Sequence, residues 1–339
     1  MVFLVAMIGA TLIVPGVIAL AKKTGAMDKP DPRKVHKKPV PRIGGVAIYL
    51  GFMVSLAFFL PEIPTGDEAL WGLVTGGTLI FLVGLLDDYR DLPAKVKLVL
   101  QILVALVLSV FFDVKIDVLT DPFGDYIFLD YMSVPVTVLW LVGITNTVNL
   151  IDGLDGLAAG VSSLAAFTIC LVAVEENIGF VAILTAALCG SAVGFLYYNF
   201  NPARIFMGDS GSMFLGFMLA SVSIVGAVKS AATIALIVPI LALGLPIMDT
   251  AFAIVRRYLS GVPIFKPDRG HLHHRLLDLG FTQRQAVLLM YVVSALLGTS
   301  AVALTEVSTH MAVAIIVLVL LAVFYGAKRL GIFRQAPHA

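Results

Sequence analysis

The chain has 339 residues, 59% of them hydrophobic and 13% charged, with a mean hydropathy of +1.00. Soluble domains carry about 25% charged residues, so a soluble globular protein is excluded and a polytopic membrane protein is expected. The formal net charge of +1 gives no sign of a nucleic-acid partner, and the two cysteines, Cys170 and Cys189, lie in apolar runs and offer no disulfide framework.

A helix needs roughly 20 apolar residues to cross the hydrocarbon core. In chain order, eleven runs approach this length: 2–21, 43–60, 69–86, 96–113, 133–151, 157–174, 179–198, 211–228, 231–255, 285–304 and 310–327. The first has no basic residue before it and Lys22-Lys23 after it, the reverse of a secretory signal, and reads as a retained helix. Between the fourth and fifth runs, segment 114–132 alternates polar and apolar residues around Asp121-Pro122-Phe123-Gly124, the pattern of a short β-hairpin. Only Lys229-Ser230 separates the eighth run from the ninth, and Pro239 and Pro246 are expected to kink or break the ninth. The expected fold is one all-α membrane domain over 1–339, with a cytoplasmic loop at 256–284.

Lysine and arginine orient it. With the N-terminus outside, the inner segments are 22–42, 87–97, 152–156, 199–210, 256–284 and 328–339. They hold 21 of the 23 basic residues, leaving only Lys115 and Lys229 elsewhere. Basic residues concentrate on the cytoplasmic side, so the C-terminus is placed there. The same parity puts Asp87, Asp88, Asp152, Asp155, Asp209 and Asp249 at the inner helix ends, with Lys97, Asn146, Asn149 and the histidines of the last large loop. Carboxylates near hydrocarbon are expensive and are usually kept for function.

Asp87-Asp88-Tyr89-Arg90-Asp91 closes the third run. Two adjacent aspartates at a helix C-terminus oppose the macrodipole and repel one another unless a cation is present. The plain alternative is a solvated loop paired to Arg90 and Lys95. Lys97 and Gln101, four apart, share a helix face; Lys97 either snorkels to headgroups or binds an anionic one. Asn146, Asn149, Asp152 and Asp155 recur every three residues and offer oxygen donors for Mg²⁺ or sugar hydroxyls, or else asparagine glue between helices. Met207-Gly208-Asp209-Ser210-Gly211-Ser212 opens the eighth helix. Ser210 or Ser212 is a candidate cap, the N-terminal amides are a candidate anion site, and Asp209 a candidate metal ligand. His271-Leu272-His273-His274-Arg275 follows Arg256-Arg257, Lys266 and Arg269. It suits a polyanion better than zinc, because no cysteine is near. Asp249, after Pro246, is expected to orient a neighbour.

Taken in order, Lys37–Gly45 (KKPVPRIGG), Asp87–Asp91 (DDYRD), Asn146–Gly156 (NTVNLIDGLDG), Asn201–Ser212 (NPARIFMGDSGS) and His271–His274 (HLHH) resemble the polyprenyl-phosphate N-acetylhexosamine-1-phosphate transferases along nearly the whole chain. The resemblance implies Mg²⁺-dependent (or Mn²⁺-dependent) transfer of a sugar 1-phosphate from a UDP-sugar to undecaprenyl phosphate at the cytoplasmic face of a bacterial inner membrane, with release of UMP. It implies Asp209 as metal ligand, Asp87 and Asp88 as catalytic carboxylates, and Lys97 on the lipid phosphate. Asn146, Asn149, Asp152, Asp155, His271, His273 and His274 would hold the nucleotide-sugar and its pyrophosphate. Relatives that use a muramoyl-pentapeptide donor typically carry three consecutive histidines; Leu272 interrupts that run here, as in the branch using UDP-N-acetylglucosamine. Such a step would initiate a cell-wall or surface glycopolymer, teichoic acid or lipopolysaccharide O-antigen among them, and a homodimer is among the allowed assemblies.

The rival reading is an intramembrane Mg²⁺-dependent prenyltransferase, which would release pyrophosphate and needs neither the Gly208-Asp209-Ser210 turn nor the histidine segment. Other UDP-N-acetylhexosamines are alternative donors. Neither a Walker A nor a G-x-G-x-x-G pattern is present, which argues against an ATP-driven transporter.

Overall fold

The computed structural model describes residues 1–28, 39–62, 68–120, 126–229, 237–261 and 270–329. Lys37, Lys38, the hairpin tip at 121–125, Ser230, and residues 262–269 with Lys266 and Arg269 lie outside the described residues.

From the N-terminus, α1 (Val2–Thr24) leads into a two-stranded clasp, β1 (Met27–Asp28) paired antiparallel with β2 (Val40–Pro41). Then come α2 (Gly45–Phe59), α3 (Glu68–Arg90) and α4 (Ala94–Leu106), the last continued by a π-helical turn, Val107–Phe111. Strands β3 (Val118–Thr120) and β4 (Tyr126–Phe128) pair antiparallel before α5 (Ser133–Ile151). Next are α6 (Leu157–Glu175), α7 (Gly179–Asn199) and α8 (Gly208–Lys229). The chain continues through α9 (Ile237–Ala242), α10 (Gly244–Leu259), the short α11 (Leu272–Asp278), α12 (Gln283–Glu306) and α13 (Thr309–Arg329).

Among the described residues nine helices are long and apolar enough to cross a membrane, and the architecture is that of an all-α multi-pass membrane protein. The eleven expected crossings map onto these nine, the shorter α2 and one broken pair. At 15 residues α2 is about 22 Å long, short of the roughly 30 Å hydrocarbon core. The ninth run is broken at Leu243 into α9 and α10. Pro246 has no N–H to return to the Ala242 carbonyl, so the ladder of α9 cannot run on into α10. Segment 256–284, expected as a loop, is partly helical. The helix α10 runs on to Leu259, α11 fills 272–278, and a capping box between Thr282 and Gln285 starts α12.

Helix α8 is the axis of the bundle, nearly all of it buried between α2, α3, α5, α6 and α7. Small residues bring its first turn to backbone contact with two neighbours. A Cβ on Gly45 would run into Gly211, and one on Gly84 into the Asp209 carbonyl. Main-chain hydrogen bonds stitch β2 and the start of α2 to the approach of α8: Phe206 N–H to Pro41 O at 2.8 Å, Gly44 N–H to Phe206 O at 3.0 Å and Gly45 N–H to Met207 O at 2.8 Å. The C-terminal ends of α3, α5 and α7 and the N-terminal ends of α4, α6, α8, α11 and α12 therefore gather at one end of the bundle, where the polar residues collect.

Candidate active site

The two aspartates that end α3 face different ways. Asp88 turns inward and accepts the N–H of Asp209 at 2.8 Å, the N–H of Ser210 at 3.1 Å and the Ser210 hydroxyl at 2.6 Å. It is the cap of α8, in place of the Ser210 or Ser212 expected from sequence, and it occupies the amides expected to receive an anion. Ser212 instead donates to the Gly208 carbonyl at 3.0 Å. Gly208 sits at φ +70°, a left-handed conformation that favours glycine. A Cβ there would lie 2.6 Å from both Asp88 oxygens and against the Arg42 carbonyl.

Asp87 turns the other way. It accepts the Leu92 N–H at 2.7 Å and the Lys97 ammonium at 2.9 Å. The same ammonium pairs with Asp209, whose other oxygen accepts the Asn149 amide at 2.8 Å. Asn149 also donates to Ser212 at 2.8 Å. Asp87, Lys97, Asp209 and Asn149 thus form one continuous polar chain across α3, α4, α8 and α5.

Arg42 resolves the conflict between the paired aspartates and the helix dipole. Its Nε donates to the Asp88 carbonyl at 2.6 Å, and its Nη2 donates to the Asp87 carbonyl at 3.5 Å and to Asp91 at 2.8 Å. A cation on the last carbonyls of α3 satisfies orphan acceptors and offsets the negative helix end. Sequence reasoning gave Arg42 no role. Its only local signal was a basic residue beside the paired glycines of the Lys37–Gly45 segment.

These residues open onto a cavity of about 850 Å³. Asp87, Asp88, Asn149, Asp152, Asp155, Asp209 and His274 line it; Lys97 reaches the carboxylates from behind. Asn199, Asn201 and Gln283 also line it and were not anticipated. Asp155 accepts the Asn201 amide and the Ala203 N–H, both at 3.0 Å, and Asn201 donates on to Gln283 at 2.9 Å. Asp155 therefore holds the turn after α7 against α12 while still facing the cavity. Burial pushes the carboxyl of Asp152 up to about 7, and the charges of Asp209, Asp88 and Asp155 add to the shift.

Besides Lys97, three expected site residues lie off the cavity. Asn146 donates to Gln101 at 2.6 Å and to the Val142 carbonyl at 2.8 Å, joining α4 to α5 within the bundle. His271 and His273 are buried beside it, His271 against Asp249 and His273 against Gly153. Burial and the neighbouring His274 lower the His273 imidazole to about 3, so it is neutral.

The donor chemistry suits a hard cation. Among the described residues no three carboxylate, imidazole or thiolate groups form a metal cage, which disfavours zinc. Mg²⁺ is commonly held by one or two carboxylates together with water and substrate phosphate. Asp87 and Asp209, close enough to share one ammonium, with the Asn149 amide alongside, fit that pattern.

The family model described as "Glycosyl transferase family 4" matches residues 70–227. The chain is 40% identical over 94% of its length to a Bacillus subtilis protein described as a probable undecaprenyl-phosphate N-acetylglucosaminyl 1-phosphate transferase, of which it covers 88%. It is 41% identical over 80% of its length to a decaprenyl-phosphate N-acetylglucosaminephosphotransferase of Mycolicibacterium smegmatis, of which it covers 74%. It is 30% identical over 83% of its length to the undecaprenyl-phosphate alpha-N-acetylglucosaminyl 1-phosphate transferase of Escherichia coli K12, of which it covers 77%.

Proposed function

The chain belongs to glycosyl transferase family 4, and from that premise we propose that it transfers N-acetylglucosamine 1-phosphate from UDP-N-acetylglucosamine to undecaprenyl phosphate. The products are the lipid-pyrophosphate-linked sugar and UMP. The reaction takes place at the cytoplasmic face of the bacterial inner membrane, as the initiating step of a cell-wall or surface glycopolymer such as teichoic acid or lipopolysaccharide O-antigen. The single observation that carries this reading is the polar chain of Asp87, Lys97, Asp209 and Asn149 at the mouth of a wide cavity between helix ends.

The acceptor is a phosphate monoester with a second pKa of about 6, so at pH 7 it is already largely dianionic and needs little help from a base. Its difficulty is repulsion from the donor's diphosphate. Asp87 and Asp209 are the residues that would hold Mg²⁺, which when bound supplies charge neutralisation at the transferring phosphoryl group. Lys97 contributes a positive charge beside them, suited to the acceptor phosphate. An acceptor oxygen attacks the donor's β-phosphorus, and the bond from that phosphorus to the bridging oxygen breaks, so UMP leaves with that oxygen. Asp88, held by three hydrogen bonds, acts through the fixed start of α8, while Asp87 stands where it can orient the acceptor. Asn149 holds the Asp209 carboxylate in place. The hydrocarbon tail stays among the apolar helix faces while its phosphate meets a water-soluble donor at the helix ends.

The test is incubation of the purified protein with undecaprenyl phosphate, Mg²⁺ and a panel of UDP-N-acetylhexosamines, with detection of the nucleotide product. UMP with a preference for the N-acetylglucosamine donor is the expected result. Pyrophosphate release in its place would move the protein to the prenyltransferase reading.

A further inference from the structure

Asp249 is a buried carboxylate that the proposed reaction does not use. It lies on α10, just beyond the break at Leu243, and both its oxygens are committed to the start of α11. Oδ2 meets His271 Nδ1 at 2.9 Å, and Oδ1 accepts the Leu272 N–H at 2.7 Å. Seven residues on, two turns along the same face of α10, Arg256 is buried against Gly270, where a Cβ would strike its guanidinium. The helix α10 thus grips residues 270–272 at two points.

The grip continues toward the cavity through imidazole rings. His271 stacks on His273 with an interplanar angle of 8° and centroids 5.7 Å apart, and His273 meets His274 at a tilt of 44° with centroids 4.2 Å apart. The far side of His273 rests on Gly153, where no side chain fits. Of the three rings only His274 lines the cavity. Asp249 anchors one end of these packed rings and the cavity receives the other.

We propose that Asp249 is a positioning residue for the nucleotide-sugar: through His271 and the packed imidazole rings it fixes where His274 stands in the cavity wall. The proposal rests on the functional reading above and adds to it a residue that never touches substrate. A carboxylate accepting from Nδ1–H selects the His271 tautomer; an amide whose oxygen stays on the Leu272 N–H faces Nδ1 with its NH₂, which removes that charged hydrogen bond and loosens the hold on His271.

The experiment compares Asp249→Ala, Asp249→Asn, His274→Ala and the double variant Asp249→Ala/His274→Ala in full-length protein in detergent. It measures KM for each substrate, kcat, and direct binding of UDP by calorimetry. Loss of one charged hydrogen bond scales to about 10-fold or more, so Asp249→Ala is expected to raise the UDP-sugar KM and the UDP Kd about 10-fold. The undecaprenyl phosphate KM should stay within about twofold. The double variant should be no worse than His274→Ala alone, since both changes remove one contact. A purely structural role would move both substrates together and would add to His274→Ala; either outcome overturns the proposal. Asp249→Asn retains an acceptor for the Leu272 N–H, so it is the second variant should Asp249→Ala fail to fold; wild-type UDP affinity in folded Asp249→Asn also overturns it. If the wild-type protein neither binds UDP nor turns over the UDP-sugar, the functional reading itself has failed, which is a different result from intact wild-type binding unaffected by Asp249.

Discussion

Gly208→Ala tests the central geometric claim, that the start of α8 and the Asp88 carboxylate are one unit. The position has φ +70°, and a non-glycine residue in that conformation is destabilised by about 1–2 kcal/mol. The added methyl would sit 2.6 Å from both Asp88 oxygens, with the Arg42 carbonyl closing the other side, so the carboxylate must give way. Asp88 is 5% exposed and makes three hydrogen bonds to the first turn of α8. Losing one such charged hydrogen bond is worth about 1.5–3 kcal/mol. If that loss is felt at the transition state through a shifted Asp209, turnover falls roughly 10- to 100-fold at 1.36 kcal/mol per decade. The assay is UMP release per mole of folded, monodisperse protein, alongside a melting temperature in detergent. Gly179→Ala is the control, because nothing lies within 4 Å of a Cβ there. Turnover of Gly208→Ala within threefold of wild type, in folded protein, would refute the coupling of Asp88 to the site.

Asp209→Asn is expected to lower turnover by at least about 100-fold, the lower range for one electrostatic catalytic group, and to weaken Mn²⁺ binding measured by electron paramagnetic resonance. Unchanged Mn²⁺ affinity would remove Asp209 from the metal site. His273, held at about 3 by burial and by His274, makes stability pH-dependent. Between about pH 3 and 6.5 the folded chain binds fewer protons than the unfolded one, so stability is full above about pH 6.5 and declines as pH falls. His273→Gln should lose less melting temperature than wild type between pH 7 and 5; parallel decline in the two proteins would contradict the assignment.

Much of this arrangement was readable from residue order because helix ends carry their own signals. Apolar run lengths located the helices, and basic residues sorted the intervening segments to one side. That parity alone grouped Asp87, Asp209, Asn149 and Lys97, which the fold then joins by hydrogen bonds. Unreadable were contacts set by packing across distant elements. Asn146 and Asn149 are three apart on α5, yet one bonds Gln101 within the bundle and the other Asp209, because different helices flank α5 at those two levels. The capping of α8 by Asp88 joins residues over a hundred positions apart, so the local Ser210 and Ser212 looked like the candidate caps. Arg42 was hidden for the same reason: its partners are main-chain carbonyls of α3, and carbonyls carry no residue-specific mark. Asn201 and Gln283 meet only because the end of α7 and the start of α12 come together.

The glycine contacts behind the aspartates carry a consequence for altering this protein. Where α2 and α3 touch α8, the cavity is backed by main chain, with Gly45 on Gly211 and Gly84 on the Asp209 carbonyl. At those glycines there is no side chain to exchange, and any addition moves a helix. Asn201, His274 and Gln283 line the same cavity with side chains. On the proposed function the glycine contacts are thus a fixed template, and those side chains are the part open to exchange. Variants that accept a different donor sugar are to be sought among them, with the template left as it stands.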